Sequence, residues 1–162
     1  MGGRSSASGK STRSAMTESE FSNELEMYVG GGYGSPSEAM SDKAIKYMES
    51  HMDTIDSKLY RVEESHYTAD KLSKGQVFSF EGNYRGFSSR RSFVREAIEE
   101  EGLGADKPAV FVMLGKKKAL EVNKHYKNSY YESQKEHIAG GKYKVMEKEV
   151  RDGKTYVYIK QQ

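Results

Sequence analysis

Leu59-Tyr60-Arg61-Val62 sets a guanidinium into an otherwise apolar strand pattern. Gly86-Phe87-Ser88-Ser89 places two hydroxyls behind an aromatic ring. Gln134-Lys135-Glu136 carries two long polar side chains two positions apart, and an extended strand turns such a pair to one face. Ile138 falls on that same face, so the face turns inward and leaves Glu136 at the margin of a core. A carboxylate at such a margin can be partly desolvated yet stay ionised beside a cation such as Arg61. The planar fork of Arg61 suits a diphosphate better than a lysine would. Each stretch also has an ordinary reading: an exposed edge-strand Arg, hydroxyls in a turn, a solvated strand of mixed charge. Taken together they point to a pocket that grips an anion and holds a carboxylate against a polarised centre.

The segment after Ser89 adds to this. Arg90 and Arg91 crowd the start of an expected helix over about 90–101, and Glu99, Glu100 and Glu101 crowd its end. That order opposes the helix dipole, at about 0.3–1 kcal/mol per misplaced charge. It is tolerated where the N-terminal end must hold a phosphate, and costs almost nothing where the Arg side chains bend into solvent. His51, His66, His125 and His137 lack the spacing with carboxylates that a metal site needs, so no metal is expected. Lys116-Lys117-Lys118 reads as a solvated turn.

With 162 residues the chain fits one domain with one core. Lys plus Arg number 26 and Asp plus Glu 24, so the formal charge of +2 gives no broad electrostatic hold on nucleic acid or anionic lipid. Zero Cys removes disulfides and thiolate catalysis and suits a reducing compartment, so a cytoplasmic site of action is expected. No apolar run approaches a membrane span, and the basic N-terminus leads into no hydrophobic stretch, so neither a signal peptide nor an anchor is expected. Residues 1–16 have the Gly/Ser-rich composition of a flexible tail. Their Gly9-Lys10-Ser11 is no phosphate loop, because Arg4 stands where the motif needs Gly and no strand precedes it.

The domain proper spans 17–162. Thr17 with Glu20 forms a capping box, and Phe21, Leu25 and Tyr28 recur at helical spacing until Gly30-Gly31-Gly32. Ser35-Pro36 starts a second helix. From Lys58 the period changes to two, giving strands over about 59–62, 76–80, 84–88, 109–114, 119–122, 134–139, 143–149 and 155–159. Ala109 to Leu114, apolar throughout, is the best central strand. Helices first and strands later give an α+β domain with two small packed sheets.

These motifs, in this order, resemble the mono-ADP-ribosyltransferases of the Arg–Ser–Glu class, which include bacterial toxins and phage-encoded transferases. The resemblance runs from about Tyr28 to Ile159. Tyr28-Val29-Gly30 before Gly32-Tyr33 resembles the segment joining the family's first helices. Leu59-Tyr60-Arg61 resembles its first-strand Arg motif, and Gly86-Phe87-Ser88-Ser89 its Ser-Thr-Ser motif. Gln134-Lys135-Glu136 resembles its catalytic Glu strand, followed by closing strands around Asp152-Gly153. The resemblance implies helices followed by two sheets around an NAD cleft, and cleavage of the nicotinamide glycosidic bond. It implies that Arg61 grips the NAD diphosphate, with Val62 near the nicotinamide amide. Ser88 or Ser89 would orient the catalytic Glu, with Phe87, Arg90 and Arg91 beside the dinucleotide. Glu136 would bond the nicotinamide ribose and stabilise its oxocarbenium ion. Gln134 would contact the acceptor, and a turn carrying Tyr126, Tyr130 and Tyr131 would recognise the target.

The third position of the Ser-Thr-Ser motif is Arg90 here, so the choice between Ser88 and Ser89 stays open. Gln134 stands where arginine-modifying members carry Glu, which disfavours arginine as acceptor, although Glu132 is close in sequence. A protein target fits the resemblance best, with nucleic acid an open alternative and no membrane partner. The expected role is an effector of a phage or bacterium. Two rivals keep the scaffold: an NAD glycohydrolase that uses water, and a non-catalytic binding module docking a partner by the Tyr-rich turn.

Overall fold

Thr17 opens the first helix as a reciprocal cap: its hydroxyl accepts the Glu20 amide at 3.1 Å and its amide donates to the Glu20 carboxylate at 2.9 Å. The computed structural model describes residues 15–128 and 135–162. Most of the expected tail, residues 1–14, and the segment 129–134 lie outside the described residues. Helix α1 (Glu18–Gly30) buries Phe21, Leu25 and Tyr28 on one face, as its spacing predicts. Gly32, at φ +70°, takes the left-handed conformation that lets the chain turn back.

The helix expected from Ser35 is divided. A single turn, α2 (Pro36–Ala39), stops at Met40, whose backbone is extended. Helix α3 (Asp42–Ser50) then restarts at Ser41, whose hydroxyl accepts the Ala44 amide. The cause is tertiary: the Ser41 amide and hydroxyl both donate to Glu24 of α1, at 2.7 and 2.9 Å. That anchor holds the chain extended just where the apolar pattern would continue a helix.

The strands are β1 (Asp53–Ile55), β2 (Leu59–Glu64), β3 (Val77–Phe78), β4 (Arg85–Ser88), β5 (Pro108–Leu114), β6 (Lys117–Glu121), β7 (Glu136–Ala139), β8 (Tyr143–Arg151) and β9 (Lys154–Gln161). β5 is buried at every position up to Val112 and Met113, and pairs antiparallel with β2 and parallel with β9. Asp152 and Gly153, at φ +51° and +75°, form the two-residue turn that joins β8 to β9 with the twist a hairpin needs.

The expectation of two separate sheets is corrected: the nine strands form one hydrogen-bonded order, β1-β6-β7-β4-β2-β5-β9-β8-β3. The continuity is slender. β4 and β2 meet at the one pair Tyr60↔Ser88, while β2 pairs with β5 over six residues. The β4–β2 ladder is therefore reduced to a single pair, although the largest core packs residues from both sides of it, and this is where an opening can form. Tyr28, Leu25 and Phe21 pack on Leu120 and Ile138 of one half. Leu59, Phe87, Phe111 and Tyr143 make the largest core. The expected helix over 90–101 is shorter, α4 (Phe93–Glu99), and lays Ala97 on Val62 and Val110. Among the described residues no helix is long and apolar enough to cross a membrane.

Candidate functional site

Strand pairing brings two of the expected groups face to face. β4 and β7 run antiparallel with Ser88 opposite Glu136 and Gly86 opposite Ile138. Directly opposed residues point to the same side of a sheet, with Cβ atoms about 4.5–5.5 Å apart. On the other side of β4, Arg61 follows the single joining pair and reaches across the split. Its Nη1 donates to the Gly86 carbonyl at 3.0 Å and its Nε to Glu63 Oε1 at 2.8 Å. Glu63 is only 8% exposed, so a buried counter-charge fixes the plane of the guanidinium.

A cavity of about 280 Å³ opens at this split. Arg61 and Val62 line it from β2, Gly86, Phe87 and Ser88 from β4, and Glu136 from β7. Tyr28 of α1, Phe93 of α4, Glu101 and Leu103 close its walls. Gly86 admits the carboxylate. A Cβ there would lie 2.6 Å from Glu136 Oε2 and 2.8 Å from the Tyr28 hydroxyl, too close for either group to stay.

The Tyr28 hydroxyl donates to the Glu136 carboxylate, and burial followed by that neighbouring negative charge raises the pKa of the phenol. Glu136 keeps only partial contact with solvent. Burial pushes its carboxyl up to about 7, while the Tyr28 hydrogen bond and the charge of Arg61 pull the other way without cancelling it. A second guanidinium, Arg85, is lowered by burial and then by the charge of Arg61. The result is a carboxyl near half-ionisation at neutral pH, a fixed cation, and a hydroxyl, all on one small hollow. Such a set can bind an anion, accept a hydrogen bond from a sugar hydroxyl, and stabilise a positive charge that develops beside the carboxylate.

The other expected site residues are placed as follows. Phe87 borders the cavity, but its ring is buried in the largest core. Ser89 turns away: its amide donates to the Lys135 carbonyl and its side chain borders neighbouring grooves, so of the two hydroxyl candidates Ser88 is the one at the cavity. Arg90 is held by Glu96 at 2.7 Å, and Arg91 lines a separate groove with Tyr60. The structure therefore does not bring Arg90 and Arg91 to the cavity, and the backwards-charged helix is answered by an internal ion pair. The strand expected from Gln134 begins at Glu136, because Lys135 sits at φ +48°, outside the extended range. Gln134, Glu132, Tyr130 and Tyr131 lie outside the described residues, and Tyr126 packs half-buried against the α1 cluster.

Sequence reading missed three groups. Tyr28 looked like helix core because it completes the Phe21–Leu25 stripe, and its hydroxyl gives no periodic signal. Glu63, two positions after Arg61 on the same strand face, was legible as an ion-pair partner by the alternation that picked out Gln134 and Glu136. Gly86 showed itself only as a residue beside Phe87.

No protein-family profile matches the sequence. Nor does any curated protein. Among solved structures the chain is similar to the ADP-ribosyltransferase Vis of Vibrio splendidus in complex with an inhibitor, at a TM-score of 0.60 and 12% identity, covering 95% of this chain and 80% of that one. It is similar to the ADP-ribosylating toxin BECa of Clostridium perfringens solved with NADH, at 0.53 and 12%, covering 90% of this chain and 43% of that one. HopU1, an ADP-ribosyltransferase of Pseudomonas syringae, matches at 0.50 and 12%, over 78% of this chain and 57% of that one. The chain thus has the α+β fold of the ADP-ribosyltransferases, with helices packed on a mixed sheet.

The electrostatics of Glu136 give a stability prediction. Its folded pKa of about 7 stands above the ordinary 4.5, so the native state holds the proton more tightly than the unfolded chain. Stability falls as pH rises from about 4.5 to about 7, and stays lower above it. Glu136→Gln cannot ionise and escapes this loss. The variant is expected to be more stable than the parent by about 1–3 kcal/mol at pH 8 and equal to it at pH 4, measured by urea unfolding at both pH values. Equal stability at pH 8 would show that the carboxyl is not desolvated.

Proposed function

We propose that the protein is an NAD-dependent mono-ADP-ribosyltransferase. One observation carries this reading: Arg61, Ser88 and Glu136, from three strands and 75 positions of sequence, line one cavity at the split of an ADP-ribosyltransferase fold. The solved relative with NADH adds support for a nicotinamide dinucleotide as the ligand of such a fold. The cavity volume, near the lower end of the about 300–1,000 Å³ of small-molecule sites, suits the nicotinamide-ribose end of NAD. The diphosphate then falls to Arg61, whose fork is already oriented by Glu63 and Gly86. Tyr28, Phe93 and Leu103 supply the apolar and aromatic walls that a nicotinamide ring requires.

In this reading the bond between ribose C1′ and the nicotinamide nitrogen breaks, and its electron pair leaves with neutral nicotinamide. The ionised Glu136 accepts a hydrogen bond from the ribose and faces the positive charge that develops at C1′. Removal of such a fixed stabiliser costs about 2.7–4 kcal/mol, or roughly 10²–10³ in rate. Ser88, opposite it across the β4–β7 pair, orients the carboxylate, and Tyr28 holds it from the helix side. A nucleophile of the acceptor bonds to C1′ and loses its proton. The acceptor is a macromolecule, and the setting is the NAD-containing cytoplasm of a target or host cell reached by a phage or bacterial effector.

Two measurements test this. Incubation with labelled NAD and a cell lysate, followed by mass spectrometry, is expected to leave ADP-ribose on macromolecules. With Glu136→Gln the label is expected to drop by at least about 100-fold. Release of nicotinamide with no labelled macromolecule would favour a glycohydrolase, and no turnover of NAD at all would favour a binding module. By calorimetry, Arg61→Ala is expected to weaken NAD binding by roughly 10- to 100-fold, the value of a charge-assisted contact. Unchanged affinity would remove Arg61 from the site.

A further inference from the structure

A second groove lies on the same side of the sheet as the cavity. The register across the strands shows how the two are connected. Glu136 opposes Ser88, Ser88 opposes Tyr60, Tyr60 opposes Val112, and Val112 opposes Tyr158. Side chains directly opposed across a ladder share a face, so these five form one transverse row on β7, β4, β2, β5 and β9. At about 4.8 Å per strand the row is about 19 Å long. Its first half is the cavity and its second half the floor of the groove. Helix α4 packs on the neighbouring row at Val62 and Val110, shares a cluster with Val112, Tyr60 and Tyr158, and borders the groove with Val94.

The groove combines aromatic faces with cations. Tyr60, Tyr156 and Tyr158 are half-exposed, and the last two stack with ring centroids 6.5 Å apart and planes 19° from parallel. The Arg151 guanidinium lies over the Tyr156 ring at 4.0 Å and extends the platform. Lys58 and Arg91, both exposed, stand at the rim. Glu149 pairs with Arg151 at 2.9 Å and accepts the Tyr158 hydroxyl at 3.4 Å, and among the described residues no carboxylate lines the groove itself. A chain of near-neutral total charge therefore concentrates positive charge beside ring faces. Ring faces take bases irrespective of sequence, and guanidinium and ammonium groups take phosphates.

We propose that this groove binds single-stranded nucleic acid and leads it toward Glu136. The statement that the bound strand is an acceptor rests on the transferase reading; the binding itself does not. An arrangement of stacking rings ending at a reactive carboxylate places an unpaired base, rather than a folded protein surface, nearest the cavity. Arg91, expected from sequence to hold a cofactor phosphate, becomes here a contact to the strand's backbone.

The test is fluorescence anisotropy with the full chain, no NAD, and an end-labelled oligothymidine of about 12 nucleotides. Saturable binding is expected at about 50 mM salt, with log K falling against log salt at a slope of about −2, or about −0.7 for each of three cations. Tyr60→Ala and Tyr158→Ala are each expected to weaken binding by roughly 5- to 100-fold. Arg91→Ala, on an exposed side chain, is expected to flatten the slope by about 0.7. Absence of saturable binding at low salt would overturn the proposal. So would tyrosine variants that melt cooperatively like the parent and bind equally well. Saturable binding of a polyglutamate peptide but not of the oligonucleotide would overturn it in favour of an acidic protein partner. Oligonucleotide binding without any labelled product from NAD would count against the transferase reading alone.

Discussion

A carboxylate and a guanidinium have to share a small hollow that is mostly out of water, and the rest of the structure follows from that demand. Glu136 is desolvated enough to titrate near neutrality, so it must be held by fixed partners. Tyr28 supplies a hydrogen bond from the helix side and Arg61 a charge from the neighbouring half of the sheet. A continuous sheet has no room for this, because a regular ladder would bring β2 and β4 together along their length. The fold answers by limiting the β2–β4 ladder to the pair Tyr60↔Ser88 and letting Arg61 bridge the remaining gap to the Gly86 carbonyl. Gly86 is then under two constraints: its carbonyl accepts Arg61, and its missing side chain leaves space for Glu136 and Tyr28.

The same demand explains where stability is spent. Four ionisable groups, Glu63 buried and Arg61, Arg85 and Glu136 partly so, meet at the split, while Lys117, expected in a solvated turn, is buried on β6 and donates to the Ser57 and Met113 carbonyls. Away from the split β5 is buried from Pro108 to Met113 between β2 and β9, over the larger core. The β2–β5 pair thus carries Arg61, while α1 and β7 carry the groups that face it. The transverse row from Glu136 to Tyr158 continues the site outward, so chemistry and docking share one face of one sheet.

Much of this was legible in the sequence where a local rule governs. The Thr17 capping box, the Phe21–Leu25–Tyr28 stripe, the apolar run of β5 and the Asp152–Gly153 hairpin are each set within a few residues, and each is found as expected. Arg61, Ser88 and Glu136 stood out because polar groups interrupt apolar strands, and the fold brings the three to one cavity. What failed depended on tertiary contacts. Glu24 captures Ser41 and breaks the second helix, and Glu96 captures Arg90 and answers the reversed charges of α4. The joining of two expected sheets into one order hangs on a single residue pair, which no periodicity encodes. Tyr28 belongs to both worlds: its ring follows the helix stripe, and its hydroxyl serves a strand more than a hundred residues away.

The most direct test of the convergence is a carbon-detected NMR titration of the Glu136 side-chain carboxyl, assigned by its absence in Glu136→Gln, in the parent and in Arg61→Ala. The expected midpoint in the parent is near pH 7, moving higher when the Arg61 charge is removed. A midpoint near the ordinary 4.5 that ignores the loss of Arg61 would mean that the two groups do not share a desolvated site.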